Sequence, residues 1–169
     1  VYFANSGAEA MEAALKAVKK NREGALVSFE GNFHGRTLGA LSVTWGPAIR
    51  HPFDPLIPHC AFLPFNGEAL LRFARENEIA AVFLECIQGN SGVYPLPADL
   101  AEAVNILQKE RGILVVADEI QAGLGRTGRY FAYEHFGLRP DIITLGKGIG
   151  GGLPLGAAIF CEWSPFASG

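Results

Sequence analysis

No stretch of this 169-residue sequence stays apolar for anything near the ~20 residues of a membrane span, and nothing in it resembles a signal peptide. Lysine and arginine do not cluster, and the formal net charge is −3, so no nucleic-acid surface is expected. Cysteine is scarce. Cys60, Cys86 and Cys161 are odd in number and lack metal-ligand spacing, which leads to an expectation of no metal site and of free thiols in a reducing cytoplasm. Internal repeats, linkers and low-complexity segments are also missing. The chain opens on "VYFANSG" without a Met and stops at "PFASG" with no closing element. The expectation is therefore a single domain, residues 1–169, excised from a longer polypeptide.

Glycine, by contrast, is plentiful, and it gathers between hydrophobic runs, where strands end and turns or ligand contacts are expected. Strand-like and helical patterns alternate. "AEAMEAALKAV" places Ala8, Met11, Leu15 and Val18 at helical spacing and ends in Lys16, Lys19 and Lys20, which suit a helix C-terminus. "ALVSFE" reads as a strand, "EALLRFARENE" as a helix and "IAAVFLE" as a buried strand. A loop, "CIQGNSGVYPLP", precedes the helix "ADLAEAVNILQKERG", which Gly112 stops. "ILVVA" is another buried strand, "YFAYEHFG" a short aromatic helix, and Ile142–Leu145 and Leu155–Phe160 are two more strands. Continuous apolar strands separated by helices predict an α/β fold, a mostly parallel sheet covered on both faces.

In such sheets ligands bind beyond the carboxyl ends of the strands. Glu85 ends one strand here, Asp118 and Glu119 end another with Gln121 just beyond, and Lys147 follows a third into a cluster of glycines. An acid, an amide and an amine are thus expected at one edge. Ser6, Gly7 and Ala8 open the first strong helix. Ser6 suits a helix cap, and Gly7 would let a phosphate approach the free amides of the first turn. Two G-x-G-x-x-G matches, from Gly123 and from Gly146, lack the following helix or the spaced acid of a dinucleotide fingerprint. Gly148 after Lys147 likewise rules out a P-loop.

"SGAEAMEAALK", "GNFHGRT", "VVADEIQAGLGRTGR" and "PDIITLGKGIGGGLPLGA" resemble, in order, the large-domain motifs of the class III (subgroup II) pyridoxal-phosphate aminotransferases, a family that includes acetylornithine, ornithine and 4-aminobutyrate aminotransferases. The resemblance covers nearly the whole chain. It implies the large domain of fold type I, with three αβα layers, and pyridoxal 5′-phosphate as cofactor. On that basis Lys147 holds the cofactor as a Schiff base and later shuttles a proton. Asp118 pairs with the pyridine nitrogen and keeps it protonated. Gln121 bonds near the phenolic oxygen, Gly7 and Ala8 with Ser6 hold the phosphate, and Phe33 stacks on the ring. Glu85 lies near the cofactor, Arg36 takes a substrate carboxylate or else forms an internal ion pair, and His34, Arg126 and Arg129 are structural.

The sequence departs from the family at "ECIQGNSG", where Cys86 stands for a proline and Asn90 for a second glutamate. That glutamate neutralises a carboxylate-binding arginine in ornithine-type relatives, so the donor stays open. The implied reaction moves an amino group, a terminal ω-amine in the first instance, to a 2-oxo acid such as 2-oxoglutarate. The implied assembly is a cytoplasmic homodimer with its site at the subunit interface, completed by a small domain beyond residue 169. A decarboxylating or aminomutase enzyme on the same scaffold, and a nicotinamide-binding oxidoreductase, remain as alternatives.

Overall fold

The computed structural model describes residues 1–161 and Pro165. The domain boundary expected at Gly169 lies outside the described residues. Among the described residues nine strands form: β1 (Tyr2–Ala4), β2 (Ala25–Phe29), β3 (Cys60–Leu63), β4 (Ile79–Leu84), β5 (Ile87–Gln88), β6 (Tyr94–Pro95), β7 (Leu114–Asp118), β8 (Ile142–Leu145) and β9 (Gly156–Phe160). Seven of them make one sheet in the order β1-β9-β8-β7-β4-β2-β3. The steps from β3 across to β8 are parallel, whereas β9 runs antiparallel to both β8 and β1. Strand β1 therefore points the same way as β8, and its carboxyl end lies on the same edge.

Five α-helices accompany the sheet: α1 (Gly7–Asn21), α2 (Leu38–Ser42), α3 (Pro47–Arg50), α4 (Gly67–Glu76) and α5 (Ala98–Arg111). All six residues of β4 are buried, and they divide between two cores. Val82 and Leu84 pack with Leu70 of α4 and with Leu100 and Val104 of α5. Ala81 and Phe83 pack with Met11, Leu15 and Val18 of α1. A strand buried on both faces has no reason to alternate polar and apolar residues, which explains the continuous apolar runs. The three layers and the mostly parallel sheet agree with the expected α/β class.

Helix ends follow local chemistry. Ser6 caps α1, its Oγ accepting the Glu9 amide at 3.2 Å, and Lys19 and Lys20 lie in the last turn. Asn66 caps α4 by accepting the Ala69 amide at 2.9 Å. Helix α5 stops at Gly112, which adopts a left-handed φ of 66°.

Four details differ from the sequence reading. "YFAYEHFG" holds only a 3-10 segment, Ala132–Phe136. The loop after Glu85 contains the small antiparallel ladder β5–β6. The last strand begins at Gly156 rather than Leu155 and is antiparallel. The two edge strands β1 and β3 and the short α2 and α3 carry no strong period and were not foreseen.

Two glycines fix how α1 meets the sheet. A Cβ on Gly146 would lie 3.1 Å from the Gly7 Cα, and one on Gly156 would collide with the Ser6 carbonyl. The helix start is pressed against the ends of β8 and β9, where no side chain fits. Gly156→Ala should therefore lower stability by about 1–3 kcal/mol, the usual cost of overpacking, read from the urea midpoint of the complete protein.

Candidate active site

Because β1, β2, β4, β7 and β8 end on one edge, the loops that follow them converge. Gly7 and Ala8 come from the start of α1, and Phe33 to Arg36 from the loop after β2. Glu85 follows β4, Asp118 ends β7 with Ile120 and Gln121 just beyond, and Lys147 follows β8. These residues line one cleft of about 420 Å³. A second cavity of about 720 Å³ shares Ile120, Gln121 and Lys147 with the first. Lys147 thus stands at the junction of the two.

Lys147 has a left-handed φ of 47°, a strained conformation for a side chain of its size and one that recurs at functional sites. Its Nζ donates to the Gln121 Oε1 at 2.8 Å. Gln121 is itself confined, since a Cβ on Gly89 would lie 2.5 Å from its amide carbon. Both residues are exposed at the cleft.

Asp118 lies beneath them, buried. Its Oδ2 bonds the His34 Nδ1 at 2.8 Å, with the two side chains 4% and 0% exposed. Its Oδ1 accepts the Ile120 amide at 3.1 Å. The histidine makes its bond as the tautomer with a proton on Nδ1. Its Nε2 is buried without a partner among the described residues. Each carboxylate oxygen retains a lone pair that can face the cleft.

Glu85 joins two walls of the cleft. Its Oε1 accepts the Phe33 amide at 2.5 Å and its Oε2 the Gly89 amide at 3.3 Å. Burial pushes its carboxyl up to about 7; the nearby Asp118 adds to the rise, while His34 and the two amides oppose it. Phe33 lies half-buried on the cleft wall, and its neighbour Asn32 is locked by bonds to the Phe83 carbonyl and the Gln88 amide.

At the helix start, Ser6 is occupied as the cap, in keeping with the plainer of its two readings. The first amides of a helix have no partner within it, and those of Gly7 and Ala8 remain available to an anion. Arg36 lines the cleft, exposed, and among the described residues it has no ion-pair partner. The internal ion pair raised as its alternative role is not formed there. Arg126 lines the second cavity and Arg129 is exposed.

Gly35, Thr37 and Ile120 line the cleft beyond the residues singled out from the sequence. His34, read only as structural, contacts Asp118 directly. Ile120 projects between Asp118 and Gln121, and its side chain is where a Cβ on Gly7 would lie, 2.6 Å away. Its placement between an acid and an amide three residues apart was the available signal. In all, the site offers anion-binding amides, a buried carboxylate, an amine held by an amide, and an aromatic wall. This donor set fits a phosphorylated, aldehyde-bearing aromatic ring.

The family described as "Aminotransferase class-III" matches residues 1–163. The acetylornithine aminotransferase of Archaeoglobus fulgidus is 46% identical over 162 residues, covering 95% of this chain and 43% of the relative. A "[LysW]-aminoadipate semialdehyde/glutamate semialdehyde transaminase" of Sulfurisphaera tokodaii is 44% identical over 164 residues, 96% of this chain and 42% of the relative. Among solved structures, an amine transaminase from an uncultivated Pseudomonas species, in a PLP-bound (internal aldimine) form, superposes with a TM-score of 0.85 at 27% identity. It covers 95% of this chain and 43% of that one. The chain spans less than half the length of these relatives.

Glu85 generates a pH prediction. Its folded value of about 7 lies above the ordinary 4.5, so the stability it contributes is complete below 4.5 and is lost as pH rises through 7. The loss amounts to about 3 kcal/mol. Glu85→Gln should flatten the dependence of unfolding free energy on pH between about 4.5 and 7 in the cofactor-free complete protein. An unchanged slope in urea titrations would place the effect elsewhere.

Proposed function

The chain belongs to the class-III aminotransferase family, and on that premise we propose that it supplies the pyridoxal-phosphate-binding large domain, residues 1–169, of a transaminase. The observation that carries this reading is the meeting of Lys147, Gln121 and Asp118 in one cleft with the free amides of α1. The cofactor is proposed from the donor set and from the PLP-bound form of the Pseudomonas relative. Lys147 would hold it covalently through Nζ and Asp118 would pair with its ring nitrogen. The Gly7 and Ala8 amides, with Ser6, would take its phosphate. Phe33 and Ile120 would bracket the ring, and Glu85 would brace the Phe33 wall. When bound, this cofactor supplies an electron sink for the bonds of the donor's amine-bearing carbon.

The protein's own residues do the rest. His34 orients Asp118 through the bond between its Nδ1 and the Asp118 Oδ2. Gln121 holds the Lys147 Nζ at the junction of the two cavities, where that nitrogen can accept a proton from a bound substrate and return it. Arg36 presents a planar guanidinium, without an ion-pair partner among the described residues, that would suit a substrate carboxylate.

The proposed reaction transfers an amino group, from a terminal ω-amine of a small amino acid, to a 2-oxo acid such as 2-oxoglutarate. Donor and acceptor would use the site in turn. The Archaeoglobus and Sulfurisphaera relatives are named for different substrates, and Asn90 is neutral and exposed at the β5–β6 turn. The donor is accordingly proposed only to this class. A cytoplasmic homodimer is proposed as the working form. Exposed Phe3, Val93 and Leu153 support a covered surface, and no helix among the described residues is long and apolar enough to cross a membrane. Further segments and a second subunit would complete the site, so this portion alone is expected to be inactive.

The complete protein incubated with pyridoxal phosphate should absorb in the visible. Borohydride reduction and peptide mapping should then find the pyridoxyl mass on Lys147. A label on another lysine, or none, would overturn the reading. Asp118→Asn should retain the label yet lose on the order of 10²–10⁴-fold in turnover with an ω-amino donor, as expected for a group acting on the electronics of the site.

A further inference from the structure

Glu119 stands beside Asp118 but faces away from the cleft chemistry, and nothing in the proposed reaction uses it. It is 1% exposed. Its Oε2 accepts the Ala132 amide and its Oε1 the Tyr133 amide, each at 2.9 Å. Those amides open the 3-10 segment Ala132–Phe136, where backbone donors lack local partners. A buried carboxylate is costly unless its oxygens are satisfied, and here both are. Burial raises the Glu119 carboxyl, and the two amides oppose that rise.

The position of these bonds in the chain gives them their significance. Residues 120–131 form a glycine-rich excursion that leaves the sheet after β7 and returns at Ala132. Within it the Gly125, Arg126 and Gly128 amides bond only to carbonyls of the excursion itself. Its start is tied by the Ile120 amide to Asp118, and its end by Glu119. The backbone of Glu119 takes part as well. Its carbonyl accepts the Gly123 amide at 3.0 Å, and a Cβ on Gly123 would lie 2.6 Å from that oxygen. Gln121, the residue that holds the Lys147 Nζ, lies inside the closed loop.

We propose that Glu119 is a positioning residue: by closing the 120–131 excursion it holds Gln121 against Lys147. The proposal rests on the reading of Lys147 as the cofactor anchor. It also requires that residue 119 act on the site only through residue 121.

The test uses the complete protein and the variants Glu119→Ala, Glu119→Gln, Gln121→Ala and the double variant Glu119→Ala/Gln121→Ala. Hydrogen exchange of the cofactor-free protein reads the loop. In Glu119→Ala, amides of residues 120–131 should exchange at least about tenfold faster, while peptides from β7 and β8 stay protected. Glu119→Gln keeps one acceptor and should fall between, and it carries the comparison should the alanine variant fail to fold. The second measurement is the rate at which borohydride fixes pyridoxal phosphate on Lys147. Glu119→Ala and Gln121→Ala should slow it to a similar extent, and the double variant should be no slower than Gln121→Ala alone.

Additive losses, or a loop that stays protected in Glu119→Ala, would overturn the proposal. If wild-type protein fixes no pyridoxyl group on Lys147, the cofactor reading fails instead. The exchange comparison then still decides whether Glu119 closes the loop.

Discussion

The site depends on the contact between the first turn of α1 and the ends of β8 and β9. Two glycines, Gly146 and Gly156, remove the side chains that would hold them apart. The same approach does three things. It sets the unpartnered amides of Gly7 and Ala8 beside the lysine that follows Gly146. It brings Gly7 against Ile120, so that the loop after β7 is gauged by the helix. And it seals the core between α1 and the sheet, where Met11, Leu15 and Val18 are buried. A helix start has a positive electrostatic end. The packing of backbone on backbone aims that end at the cleft.

Three carboxylates lie buried along the edge: Glu85, Asp118 and Glu119. Each is satisfied mostly by backbone N–H groups, from Phe33 and Gly89, from Ile120, and from Ala132 and Tyr133. Only Asp118 also bonds a side chain, that of His34. Glu85 and Asp118 reach the loop after β2 through Phe33 and His34, and Asp118 and Glu119 tie the two ends of the loop after β7, so the acids serve as clasps for the loops that wall the cleft. Burial raises the carboxyls of Glu85 and Glu119, and the amides that each clasp engages oppose that rise.

The fold was legible where elements are long or buried on both faces. The apolar runs of β4, β7 and β8 and the helices α1, α4 and α5 carry their own periods. Lys147, Asp118 and Gln121 were legible as well, because each follows such a run directly. What the sequence hid was short or distant. Segments of three to five residues, such as α2, α3 and β3, bury too little to impose a period. The bond from His34 to Asp118 joins residues 84 apart in the chain, and no local pattern announces it. Ile120 lies between Asp118 and Gln121 in sequence, and the fold places it on the cleft wall. Arg36 had two readings from the sequence, and it stands exposed at the cleft with no ion-pair partner among the described residues.

The pairing of β1 with β9 bears on the order in which the molecule can assemble. Tyr2 lies opposite Ala158, and Ala4 opposite Gly156. The first strand, and with it the start of α1, has no place in the sheet until some 150 further residues are available. A ribosome releasing this chain from its amino end would expose β2, β4 and β7 to each other well before the anion-binding turn could dock. Contacts of such long separation form late and slowly. The Gly7–Ala8 turn, proposed above to hold the cofactor's phosphate, would thus dock against the sheet only once β9 has emerged.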